Sequence, residues 1–138
     1  MRLFILTIIF LMLDSLGVDA QNVMFLSSKQ GLSNSRVRNI TEDSRHNIWV
    51  TTQNGLNRYD GVKMNVYRHE IGNPSSLLSD ESTCVFEYEK GKMMVGTGAG
   101  VQMYDYATDK FANIPFVREG GDTIKARVMS INRVKEKR

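Results

Sequence analysis

Gly96-Thr97-Gly98-Ala99-Gly100 is the segment of this 138-residue chain that most resembles a chemical device. A glycine-rich loop binds phosphate when it follows a strand and opens a helix, whose first N–H groups then point at the anion. Here the next residues, Val101-Gln102-Met103-Tyr104, alternate like a strand, so the helix terminus is missing. His46 and His69 have no cysteine or second histidine at metal-ligand spacing. Neither stands in a nucleophile motif, so no Ser/His/Asp set can be assembled. His69-Glu70 lacks the helix that a phospho-accepting histidine needs, and Asp80-Glu81 reads as a solvated turn. Cys84 lies in the apolar run Cys84-Val85-Phe86, which suits a buried, inert thiol. Trp49 could stack on a sugar, but Met94 replaces it one repeat later, which favours packing. Asn39-Ile40-Thr41 fits the glycosylation pattern but falls inside an expected strand. No catalytic residue, metal ligand or cofactor is assigned, and no residue is singled out for ligand binding.

The elements that would position these residues come in a repeat. Ile48 to Asp60 recurs 45 residues later as Met93 to Asp105. Thr52/Thr97, Gly55/Gly100, Tyr59/Tyr104 and Asp60/Asp105 are identical in register, as are Val50/Val95. Leu32 recurs as Leu77, and Arg36-Val37-Arg38-Asn39-Ile40 resembles Arg127-Val128-Met129-Ser130-Ile131, 91 residues on. Recurrence in each unit makes Thr52, Gly55, Tyr59, Asp60, Thr97, Gly100, Tyr104 and Asp105 architectural positions, because one site needs only one copy, and Trp49 joins them through its apolar replacement Met94. A unit of about 40–50 residues built from short strands and glycine turns is the size of a propeller blade. Apolar residues recur with a strand period. Met64, Val66 and Arg68 continue on one face of a fourth strand, and Gly55, Gly91 and Gly100 are placed at positive φ in turns. His46 fills the first such turn in the first unit.

The expected fold is all-β: two four-stranded antiparallel propeller blades plus the first strand of a third, an incomplete propeller. The units are 37–70 and 82–116, with the third strand in 126–138. Residues 21–36 form an N-terminal ring-closing strand and linker, the strand being Val23-Met24-Phe25-Leu26. Residues 1–20 read as a signal peptide, with Arg2, an apolar run from Leu3 to Leu13, and Val18-Asp19-Ala20 before Gln21. Asp14 ends that run too early for a membrane span, which needs about 20 residues. An exported, periplasmic protein follows. Two blades leave open edges and an unburied face, so the isolated chain is expected to be poorly stable. The net charge of +3 is carried by the last residues, from Lys125 onward. No aromatic residue interleaves those charges, which argues against nucleic acid.

Gly31-Leu32-Ser33, Val37 to Ile40, Glu42-Asp43-Ser44, Asn47 to Thr52 and Gly55 to Gly61 together resemble the two-component regulator propeller repeat. His46 and Thr51 stand where that family usually has glycine, and Met94 where it has tryptophan. The resemblance implies the periplasmic sensor region of a hybrid two-component histidine kinase, without catalytic activity in this segment. It further implies an oligosaccharide ligand, the remaining blades and kinase modules as partners, and a homodimer when full length. Two other functions fit the fold: an exported propeller enzyme acting on glycans, which needs paired carboxylates facing the channel, and an exported structural or protein-binding propeller. A downstream membrane span with kinase motifs discriminates the first from both.

Overall fold

The computed structural model of the chain describes residues 25–117 and 120–132, with Ile124 by its backbone alone. The expected signal segment 1–20, residues Val23 and Met24, and residues 133–138 lie outside the described residues.

Two four-stranded antiparallel meanders follow one another. The first runs β1 (Val37–Glu42), β2 (Ile48–Thr52), β3 (Gly55–Tyr59) and β4 (Met64–Tyr67). The second runs β5 (Ser82–Glu89), β6 (Lys92–Thr97), β7 (Gly100–Asp105) and β8 (Lys110–Ile114). These are two propeller blades. Their turns are built alike. The Thr52 hydroxyl donates to the Gly55 carbonyl at 2.8 Å and accepts from the Asn54 N–H at 3.1 Å. Thr97 does the same with Gly100 at 3.0 Å and Ala99 at 3.1 Å. The glycine is required: Gly55 has φ +123, and a Cβ there would lie 2.9 Å from the Tyr67 carbonyl oxygen. At the opposite end of the third strand, the Asp60 carboxylate accepts from the Val62 and Lys63 N–H groups, both at 2.9 Å, and Asp105 accepts from Ala107 at 2.8 Å.

Strand register decides which side chains meet. Trp49, Thr51, Leu56, Arg58 and Tyr67 share the face of the first blade that meets the second. Val85, Met93, Val95, Tyr104 and Phe111 share the opposing face. With Leu77, from the loop between the blades, these residues form the main core. Full burial of one such side chain stabilises by about 1.5–3 kcal/mol. Met64 and Val66 lie on the other face of β4, and Arg68 falls beyond the strand end.

The outward face of the first blade repeats the pattern of that interface. Ile40, Ile48, Val50, Tyr59 and Val66 stand one repeat before Val85, Met93, Val95, Tyr104 and Phe111. Ile40 is 62% and Val66 38% exposed. The segment before β1 covers part of this face. Leu32 is buried, the Ser33 N–H donates to Asn57 Oδ1 at 2.8 Å, and the Ser33 and Thr52 hydroxyls meet at 2.9 Å. One repeat later Leu77 is buried and the Leu78 N–H donates to Gln102 Oε1 at 2.6 Å. Each blade therefore receives its incoming loop in the same way.

Three details differ from the sequence reading. Residues 126–132 form no strand; the backbone touches the sheet through the Val128 N–H, which donates to the Thr97 carbonyl at 3.1 Å. A strand needs a ladder partner, and none of the described residues supplies one. Val128 instead packs its side chain on Cys84 and Val101. Phe25 and Leu26 likewise stand in no strand. Finally, two short elements appear. Ser28–Gln30 forms a 3₁₀ turn, capped by Ser27 and closed by Gly31 in the left-handed region. β9 (Phe116–Val117) and β10 (Thr123–Ile124) form a small hairpin next to Gly120 and Gly121, both at positive φ. Among the described residues no helix is long and apolar enough to cross a membrane.

Candidate functional site

The densest chemistry in the molecule is the junction between the blades. It begins with Asp43, in the β1–β2 turn and 4% exposed. Its carboxylate accepts from the backbone N–H groups of Arg45 (2.9 Å) and Asn47 (3.0 Å), which fold the turn. It also accepts from Trp49 Nε1–H at 2.7 Å and from the Tyr106 hydroxyl. Burial opposes the charge on Asp43, but the hydrogen bonds from Tyr106, Trp49 and the turn backbone outweigh it and hold the carboxyl below its ordinary value.

Arg58, on β3, reaches across to the second blade and donates to the Tyr104 hydroxyl at 2.6 Å. Tyr104 donates in turn to Asp109 at 2.5 Å, and Tyr67 to the same carboxylate at 3.3 Å. The guanidinium carbon lies 5.1 Å from the Tyr106 ring centroid, 5.6 Å from Tyr67, 5.7 Å from Trp49 and 5.8 Å from Tyr104. That is cation–π distance to each. The rings touch one another too, Trp49 and Tyr104 edge to face at 5.2 Å. Burial pushes the Tyr67, Tyr104 and Tyr106 hydroxyls up, so they stay protonated at neutral pH.

Such an arrangement can clamp one blade to the next. Among the described residues no group of His, Cys, Asp and Glu is placed to hold a metal ion. The Asp43 carboxylate makes the clamp acid-sensitive. Because its folded pKa is depressed, its contribution is complete above the unfolded value of about 3.9 and is lost as pH falls through the folded value. Urea unfolding of the chain is expected to show a steeper stability loss below about pH 4 than Asp43→Asn shows; equal acid slopes for both proteins would overturn this.

Of the positions read from the repeat, the structure brings Trp49 and Tyr104 together in this junction. Thr52 with Gly55, and Thr97 with Gly100, close the β2–β3 and β6–β7 turns. Tyr59 lies on the outward face, its hydroxyl donating to the Gly61 carbonyl at 2.7 Å. Asp60 and Asp105 serve the turns after β3 and β7. His46 pairs with Glu42 at 2.6 Å on the surface. Gly96 belongs to β6, and a Cβ there would lie 2.5 Å from Cys84 Sγ. Asp43, Arg58, Tyr67, Tyr106 and Asp109 were not singled out from sequence. Arg58 was accessible by strand parity, since it alternates with Tyr59. Tyr106 and Asp109 sit in a turn, where no periodicity points to them.

Residues 31–54 match the family model described as two component regulator propeller. Histidine kinase P4 from Formosa agariphila is 33% identical over 67 residues, covering 46% of this chain and 5% of that protein. Among solved structures, the extracellular domain of a hybrid two-component system from B. thetaiotaomicron superposes with a TM-score of 0.64 at 27% identity. That match covers 75% of this chain and 15% of the other. The chain thus spans a small share of the length of these relatives.

Proposed function

We propose that this chain, a propeller segment of the kind found in hybrid two-component sensor regions, is exported and takes part in sensing an oligosaccharide. The observation that carries this reading is where the family match falls. Residues 31–54 include Leu32, β1, the Asp43 turn and β2 with Trp49, so the match covers the first half of the blade and the Asp43–Trp49 side of its clamp. The structural likeness to the extracellular domain of a hybrid two-component system supports the same role. In this role the blades 37–70 and 82–116 bind rather than transform. Further blades and a kinase module act as partners, and a homodimer carries the signal. Binding would bias the packing of one blade on the next, which is how a ligand shifts a two-state assembly.

Thermal unfolding of the chain across a panel of oligosaccharides tests the ligand class. A ligand at a hundred times its dissociation constant stabilises by about 2.7 kcal/mol, a rise of several degrees. A panel in which no member raises the midpoint sinks the oligosaccharide role. Export is tested separately. Expressed from Met1 in a Gram-negative host, the protein is expected in the osmotic-shock fraction with Gln21 at its N-terminus. Recovery in the cytoplasm with residues 1–20 intact would refute export.

A further inference from the structure

Leu32 and Leu77 stand 45 residues apart and are both buried at the point where an incoming loop meets its blade. Leu77 fills the junction between the blades and packs with Leu56 in the main core. The register that carries Arg36 to Arg127 carries Leu32 to Thr123. At the third occurrence the filling leucine is therefore a threonine. Thr123 and Val101, the counterpart of Leu56, line a cavity of about 540 Å³ beside the second blade. That volume falls within the range of small-molecule sites, about 300–1,000 Å³.

The remaining lining is chemically specific. His69 donates from Nδ1 to the Leu77 carbonyl at 2.9 Å, which in the neutral ring leaves Nε2 as an acceptor. Asn113 uses Oδ1 to accept from Gln102 at 2.9 Å, which leaves its NH₂ as a donor. Lys125 lines the cavity and makes no ion pair with a described residue. Phe116 adds an aromatic wall. An acceptor for a hydroxyl, a neutral donor, a cation for a carboxylate and a ring face together match one ligand class.

We propose that this cavity binds a small polyhydroxylated carboxylic acid, of the size of a single sugar acid. Its carboxylate meets Lys125 and Asn113, a hydroxyl donates to His69 Nε2, and its ring lies against Phe116. Naming it the sensor's ligand pocket rests on the sensing role proposed above; the binding does not.

The test uses the full chain, labelled with ¹⁵N, and three probes: D-glucuronate, D-glucose, which lacks the charge, and benzoate, which lacks the hydroxyls. Glucuronate is expected to bind saturably below about 10 mM, about tenfold more tightly than either other probe, and to shift the amides of Gly100, Val101, Asn113 and Thr123. Thr123→Leu restores the leucine of the first two units, and it is expected to fold at least as stably and to lose binding. Lys125→Met is expected to weaken glucuronate about tenfold and serves if Thr123→Leu does not fold. No saturable binding of glucuronate, equal binding of the three probes, or undiminished binding by a folded variant overturns the proposal. An oligosaccharide that stabilises parent and Thr123→Leu alike keeps the sensing role while removing this cavity from it.

Discussion

Trp49→Ala is expected to destabilise the chain by about 3–5 kcal/mol, the usual cost of emptying a large aromatic site. Trp49 is fully buried and contacts Tyr67, Tyr104 and Tyr106 at centroid distances of 5.2 to 5.9 Å. Its removal opens a hole at the centre of the joint and leaves Asp43 short of a donor. Small domains have about 5–15 kcal/mol in total. Unfolding should therefore be followed in urea with a fixed concentration of a stabilising osmolyte, so that both proteins show a folded baseline. Trp49→Phe separates two contributions. It keeps most of the ring and loses the Nε1–H bond to Asp43, so a loss of about 1–2 kcal/mol is expected. An alanine variant within about 1 kcal/mol of the parent would show that the blades do not depend on this contact.

Asp43→Ala is expected to cost about 3 kcal/mol, from a residue with little apolar surface to lose. The cost arises from the donors it abandons. The turn amides of Arg45 and Asn47 can turn to water, but Trp49 Nε1–H is buried, and the half-buried Tyr106 ring packs edge-on against Trp49. Each buried donor left without an acceptor costs about 1–3 kcal/mol. Asp43→Asn keeps a carbonyl oxygen and should lose about half as much, while flattening the acid limb described above. Tyr106→Phe offers a cross-check. If Asp43 acts through Tyr106, the double variant Asp43→Ala/Tyr106→Phe loses less than the sum of the single losses. Strict additivity would place the effect in the turn alone.

Much of the fold was legible because the repeat writes the same instruction twice. Threonine, two residues and glycine, then tyrosine-aspartate, fix strand ends and turns through local bonds that depend only on neighbours in sequence. The pairing order followed, since meanders join adjacent strands. The third strand at 126–138 was read from similarity to 36–40, but similarity cannot supply a ladder partner, and the described part packs by its Val128 side chain instead. The junction was half legible. Tyr104 announced itself by recurrence, and Trp49 by the apolar Met94 that takes its place one repeat later. Asp43, Arg58 and Asp109 did not, because they meet only when one blade is laid on another, and charged residues carry no apolar period. The cavity lined by Thr123 was hidden for a related reason: it is defined by a residue that breaks the repeat.

The apolar positions on the outward face of the first blade have a consequence for how such chains change over generations. Ile40, Ile48, Val50, Tyr59 and Val66 carry the same polarity as Val85, Met93, Val95, Tyr104 and Phe111, although only the latter set is fully engaged here. A recombination that copies one blade therefore delivers the apolar halves of a joint at once, while Gly61 and Met64 stand where Tyr106 and Asp109 complete the clamp. Rings could be enlarged or shortened by whole units without first inventing a new interface, and the acquired substitutions need only tune each seam.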